Sequence, residues 1–318
     1  MRLVSVGNVI VDLTISISAL PQPGGDVIGQ STGSWPGGST NTMVAAARQG
    51  LPTAYGGAHG TGPFGDRVRS ALAAEGIETL QLPTPGVDTG YDIALTEASG
   101  ERTFVTVFGA EAQLTRDALA GIRLGAGDFV HVSGYGLLEA TNGRVLAPWL
   151  AALRPEHVVL LDPGPLVRDI PSEVWAVAAA RADWISCSLA EARAITGATD
   201  AAEAAAALNS AAALNGWAAT GAATRPRTAR GGAIVRLGPD GCLLAVAGAV
   251  TAVAGFAVEA VDTNGAGDAH AGAFLAALAR GAEPLAAARA ANACAAIAVT
   301  RRGPATAPTL AEVERLLG

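Results

Sequence analysis

The chain has 318 residues and a mass of 31.6 kDa, with 50% of its residues hydrophobic and 15% charged. That apolar share fills a large core and excludes a mainly disordered chain. The net charge of −7 argues against nucleic acid or an anionic membrane as the main partner. All 21 basic residues are arginine, which excludes lysine Schiff-base chemistry and a P-loop lysine.

Met1-Arg2-Leu3-Val4 opens an apolar run, Leu3–Ile10, that reads as a first strand rather than a signal peptide. Val11–Ser18 then alternates polar and apolar residues and turns through Pro21–Gly25. Tyr91–Thr96 and Thr103–Phe108 form a hairpin pattern around Ser99-Gly100-Glu101. Strands with one polar face do not belong in a sheet covered on both sides, so these stretches suggest a small β lid, from about 11–35 and 88–109. Elsewhere β-branched runs alternate with alanine-rich helical runs. Strands are expected at Thr53–Ala58, Phe129–Ser133, Val158–Asp162, Trp184–Cys187 and Ala233–Leu237. Helices are expected at Thr40–Gln49, Phe64–Glu75, Thr141–Leu153, Ser188–Ile195 and Ala201–Ala213. The alternation predicts a single α/β domain over 1–318, with a mainly parallel, doubly covered sheet. Gly241–Val258 carries no charge over 18 residues, but Gly248 and Gly255 divide it into short strands, Cys242–Ala247 and Val250–Ala254, rather than a membrane span. Residues 220–232 read as a surface loop. Cys187, Cys242 and Cys294 show neither metal spacing nor a disulfide framework, which suits a reducing cytoplasm.

Three motifs carry chemistry. Asp262-Thr263-Asn264-Gly265-Ala266-Gly267-Asp268 follows a strand-like run, Phe256–Val261, and opens a helix over Ala269–Leu278. Its glycines let the backbone approach a ligand, and the helix start adds partial positive charge, which together make an anion hole. Asp268 at its edge can take a proton from a hydroxyl attacking a phosphoryl group; a plain N-cap is the structural alternative. Pro36-Gly37-Gly38-Ser39-Thr40-Asn41 also precedes a helix, and reads equally as a polyol site or a turn plus cap. Gly7-Asn8 with Asp12 offers a carboxylate for vicinal hydroxyls or an exposed lid residue. Gly60-Thr61-Gly62-Pro63-Phe64-Gly65 matches a dinucleotide fingerprint, but it lies outside the first strand–helix unit and lacks the acidic residue at the required distance, so it reads as a tight turn.

Gly37-Gly38-x-x-Asn41, Asp262-Thr263-x-Gly265-Ala266-Gly267-Asp268 and Val299-Thr300-Arg301-Arg302-Gly303 together resemble the ribokinase-like (PfkB) carbohydrate kinases over the whole chain. The resemblance implies a Rossmann-like α/β fold with a small β-sheet lid, and ATP-dependent phosphorylation of a hydroxyl of a small sugar. A nucleoside kinase or a non-catalytic ligand-binding homologue are the alternatives. It implies Asp268 as base, Gly265, Ala266 and Gly267 as anion hole, and Asp12, Gly37, Gly38 and Asn41 around sugar hydroxyls. ATP is expected against Ser188, Arg236, Gly238, Gly241 and Asn292. The family's Asn-x-x-Glu appears as Ser188-Leu189-Ala190-Glu191, so Glu191 would organise Mg2+ through water, and Asp262 lies where some members hold K+. Gly164 stands where asparagine is common. His270, two residues after Asp268, reads as a packed helix residue. His59, His131 and His157 read as structural. Trp35 and Phe104 are expected to cover a substrate, and Trp149, Trp175, Trp184 and Trp217 to pack. A homodimer through the lid is the expected assembly, since lid pairing would cover open sheet edges.

Overall fold

A computed structural model describes residues 1–99, 101–138, 141–210 and 231–318. The expected loop over 220–232 and Trp217 lie largely or wholly outside them, as does the end of the Ala201–Ala213 helix. The main body is a nine-stranded sheet. Seven strands run parallel in the order β5 (Glu78–Thr79), β4 (Thr53–Tyr55), β1 (Leu3–Ser5), β8 (Phe129–Ser133), β9 (Val158–Asp162), β10 (Trp184–Ser188) and β11 (Gly232–Arg236). β12 (Gly241–Val246) and β13 (Ala249–Ala254) then add an antiparallel meander at one edge. These two strands are the uncharged segment, and among the described residues no helix is long and apolar enough to cross a membrane.

Neighbouring residues on each central strand feed opposite cores. Val4, Val130, Leu161, Ile185 and Val235 face one, while Leu3, Phe129, Leu160, Trp184 and Ile234 face the other. Burial on both faces is why these strands read as continuous apolar runs. A second sheet of four strands has the order β3 (Gln30–Gly38), β2 (Val9–Ser16), β6 (Tyr91–Thr96), β7 (Arg102–Val107). Its buried residues Val9 and Val11 pack with Met43 and Val44 of helix α1 (Ser39–Arg48) and with Val68 and Leu72 of α2 (Pro63–Ala74).

Two expected strands are corrected. Leu3–Ile10 is not one strand: β1 ends at Ser5 and β2, in the other sheet, begins at Val9. The break comes where the backbone meets the start of α1. A β-carbon on Gly7 would lie 2.1 Å from Ser39 Oγ, and Asn8 O accepts the Ser39 N–H at 2.8 Å. Phe256–Val261 is irregular and mostly exposed. It has no strand ladder; the N–H groups of Val261 and Asp262 both bond to Val299 O instead. The helices that complete the fold are α3 (Arg116–Gly121), α4 (Gly143–Ala151), α5 (Ser172–Arg181), α6 (Leu189–Thr196), α7 (Ala201–Leu208), α8 (Ala266–Ala279), α9 (Pro284–Ala298) and α10 (Leu310–Leu317).

Candidate active site

The glycine loop meets the large sheet at the N-terminus of α8. Gly265 is its N-cap, at φ 74°, and a β-carbon there would lie 2.2 Å from Pro304 O, so only glycine fits. No side chain caps this helix. Its first-turn amides at Gly267 and Asp268 therefore face the site with no partner in their own helix. The contrast with α2 is direct. There Asp88 accepts the Phe64 N–H (3.1 Å) and the Gly65 N–H (2.8 Å), so the helix start of the Gly60–Gly65 motif already holds its anion.

Asp268 turns away from capping its own helix and toward α1. Thr42 donates its hydroxyl to Oδ1 at 2.7 Å, and the Asn41 amide reaches Oδ2 at 3.4 Å. Burial, then the nearby charge of Asp162, push its pKa up to about 6, while Thr42, Arg236 and Asn41 pull the other way. That value suits a base working near neutral pH. The Arg236 guanidinium lies against the helix start, 3.2 Å from where a Gly267 β-carbon would sit. It bonds Asp162 Oδ2 (3.2 Å) and Ser186 Oγ (2.7 Å), and its other end stands 3.7 Å from Glu191. The chain without lysine thus has a half-buried cation at this helix start.

On the small-sheet side, Asp12 is 5% exposed and lies flush on the Gly37 backbone; a β-carbon on Gly37 would come 2.0 Å from its Oδ1. Gly38, at φ 59°, closes the chain against Asn8 O. Asp92 stands in register with Asp12 on the neighbouring strand, on the same face. Burial, then the charges of Asp92 and Asp268, raise Asp12 to about 8, against a hydrogen bond from the Asn264 side chain. Burial raises Asp92 to about 6. Asn8, Asn41 Oδ1 and Asp92 Oδ1 are buried polar groups with no hydrogen-bond partner among the described residues. Buried polar atoms are normally paired, so these three are acceptors and donors in waiting.

Ser188 and Glu191 form a capping box on α6: Ser188 N–H donates to Glu191 Oε2 (2.7 Å) and Glu191 N–H to Ser188 Oγ (3.2 Å). Ser188 thus fixes the Glu191 carboxylate. Burial and then Asp162 raise the Glu191 pKa, against Arg236 and Ser188. Among the described residues no cluster of three acidic, histidine or cysteine side chains forms a direct metal cage. Gly164 sits at φ 65°, a conformation glycine and asparagine tolerate best. Gly238 is exposed at φ 65° with open space beside it, whereas Gly241 is buried, with Val253 O 2.2 Å from a would-be β-carbon. Asn292 is 5% exposed and committed: its amide donates to Val253 O (3.0 Å) and Ala254 O (3.1 Å), and its Oδ1 meets His270 Nε2 at 3.1 Å. His270 is buried, and burial lowers it to about 3. His59, His131 and His157 are buried as well. Asp92 and Thr42 are the candidate-site residues the sequence motifs do not contain.

A helix start with free amides, a half-buried guanidinium and an acid of raised pKa define a site able to hold a phosphoryl group and deprotonate a hydroxyl beside it. The family model described as pfkB family carbohydrate kinase matches residues 1–310, and the chain belongs to that family. It is 33% identical over 311 residues to the "Uncharacterized sugar kinase YegV" of Escherichia coli K12, covering 97% of this chain and 91% of that one. In structure it is similar to the ribokinase of Giardia lamblia (TM-score 0.81, 22% identity, 99% and 98% of the two chains). It is also similar to a putative ribokinase II of E. coli in complex with ATP and Mg2+ (TM-score 0.77, 24% identity, 99% and 98% of the two chains).

Proposed function

We propose that the protein transfers the γ-phosphoryl group of ATP to a hydroxyl of a small neutral sugar of the ribokinase and fructokinase type. The observation that carries this is the half-buried Asp268 carboxylate standing at the uncapped N-terminus of α8. Asp12, Asp92, Asn41 and Asn8 supply acceptors and amides for sugar hydroxyls. The substrate loop Ser39-Thr40 carries no basic residue to hold a second phosphate, which disfavours a sugar phosphate as substrate.

ATP lies along the β11–β12 turn, with Gly238 and Gly241 near it and Ser188 and Asn292 bordering its pocket. Gly265, Ala266 and Gly267 hold the γ-phosphate by their backbone, and Arg236 adds full charge at Gly267. A divalent cation fits beside Glu191: its Oε1 makes no hydrogen bond among the described residues, and Asp162 adds a second carboxylate charge nearby. Glu191 would hold Mg2+ through water, and the ion would supply charge neutralisation on the phosphates. In the reaction Asp268 takes the hydroxyl proton, the oxygen–phosphorus bond forms as the bond to the β-phosphate oxygen breaks, and ADP leaves. Catalysis is then mostly positioning and electrostatics. The protein works in the cytoplasm, and its small sheet acts as the lid and pairs with a second copy.

A coupled ADP-release assay over a panel of pentoses, hexoses and nucleosides tests the reading. Sugar-dependent turnover is expected, and Asp268→Asn should keep ATP affinity and lose at least ~100-fold in kcat. Near-normal turnover in that variant overturns the assignment of the base.

A further inference from the structure

The resemblance places a monovalent cation beside Asp262, and the groups around this carboxylate do not suit one. Oδ1 accepts the Arg102 guanidinium and the Asn264 N–H (3.0 Å), and Oδ2 accepts the Gly303 N–H (3.1 Å). Val299 O, beside it, already takes two N–H groups, from Val261 (2.7 Å) and Asp262 (3.0 Å). Three donors occupy most of a carboxylate's roughly four acceptor directions, and one of them brings a full positive charge. A second cation at the same oxygens would meet repulsion rather than a cage of free oxygens.

We propose that Arg102 is a positioning residue that does the work of a bound monovalent cation, locking the Asp262–Gly267 loop in place only when the small sheet lies against it. Arg102 opens β7, the outer strand of the small sheet, 160 positions from Asp262. Both side chains are partly covered, at 28% and 22% exposure, so salt screens the pair less than it would a surface pair. Burial alone would raise the Asp262 pKa, but the Asn264 N–H, Arg102 and Gly303 outweigh it and hold the carboxyl below its ordinary value. Two other contacts cross the same gap: the Asn264 side chain reaches Asp12 of β2, and the Trp35 ring of β3 lies 4.0 Å from where a Gly303 β-carbon would sit. Asp262 thus ties together a lid strand, the first residues of the glycine loop and the Gly303 turn, whose neighbour Pro304 packs on Gly265.

The link to phosphoryl transfer rests on the kinase reading, but the loop can be followed without substrate. Hydrogen exchange at residues 263–268 and sugar-dependent turnover are measured at equal ionic strength in potassium, sodium and tetramethylammonium chloride. Wild-type protein should behave alike in all three, within about twofold. Arg102→Ala should exchange faster across the loop and lose about fivefold or more in kcat, more than KM for ATP changes, and Arg102→Lys should recover most of both. A fivefold rise of wild-type turnover or loop protection on adding potassium overturns the proposal, as does unchanged loop exchange in Arg102→Ala. Failure of every sugar in the panel would count against the kinase reading alone, since the exchange comparison stands without it.

Discussion

Asp12 is a carboxylate set among its own kind. It sits beside Asp92 on a neighbouring strand, buried, with Asp268 across the site. Like charges directly opposite on a sheet destabilise it. With its folded pKa at about 8, above the ordinary 3.8, the folded state binds this proton more tightly than the unfolded one. Its contribution to stability is thus full below about pH 4 and lost as pH rises through 8. Asp12→Asn is expected to raise Tm by ~2–5 °C at pH 8, a gain that fades toward pH 5, while weakening sugar binding at least tenfold. Scanning calorimetry at the two pH values checks the first half; a lower Tm at pH 8 would contradict it. Asp12 and Asp268 were legible because each lies in or beside a glycine motif. Asp92 and Thr42 were not: the alternation of Tyr91–Thr96 reveals a strand but not the register that sets Asp92 beside Asp12, and Thr42 meets Asp268 from 226 positions away.

Among the elements, α2 and α8 begin with similar glycine-rich runs and end up with opposite chemistry. What separates them is Asp88, which fills the first turn of α2 from a distant loop. Asp88→Ala should cost about 1–2 kcal/mol by chemical denaturation, as loss of a cap does, with kcat per folded molecule unchanged. A large fall in kcat would mean that the Gly60–Gly65 turn serves the reaction. Most strands of the large sheet were readable because burial on both faces leaves unbroken apolar runs, as at Phe129–Ser133 and Val158–Asp162. The same cue misled at Leu3–Ile10, where the apolar run continues while the chain passes from one sheet to the other. It misled again at Phe256–Val261, which has β-like composition and no neighbouring strand to pair with. Helix α5 escaped the alternation, though Val174, Trp175, Ala178 and Ala179 hold the spacing of one buried face.

At the scale of the molecule, the small sheet presents β7 with Phe104 (49% exposed), Val105 (53%) and Val107 (41%) along an open edge. Edges of this kind are normally covered or charged. Light scattering is expected to give twice the 31.6 kDa chain mass, and Phe104→Glu to shift it toward the monomer; a monomeric wild type would refute pairing through this sheet. The one-sided alternation pointed to this small sheet, and the hairpin of β6 and β7 fell where expected. It could not show that β3 runs on to Gly38 and delivers the chain straight into α1, because Gly37 and Gly38 look like a turn until Asp12 is placed beneath them.

The order of threading has a consequence for synthesis. β2 and β3 leave the ribosome early, but β6, which lies against β2, follows only after α1, β4, α2 and β5 have been made. At ordinary translation rates the nascent hairpin waits several seconds, ~3–10 s, with one side of β2 unzipped. Chaperone capture during that interval should concentrate on chains stalled before residue 91, and a swap of the late hairpin between two growing chains is the misassembly to look for.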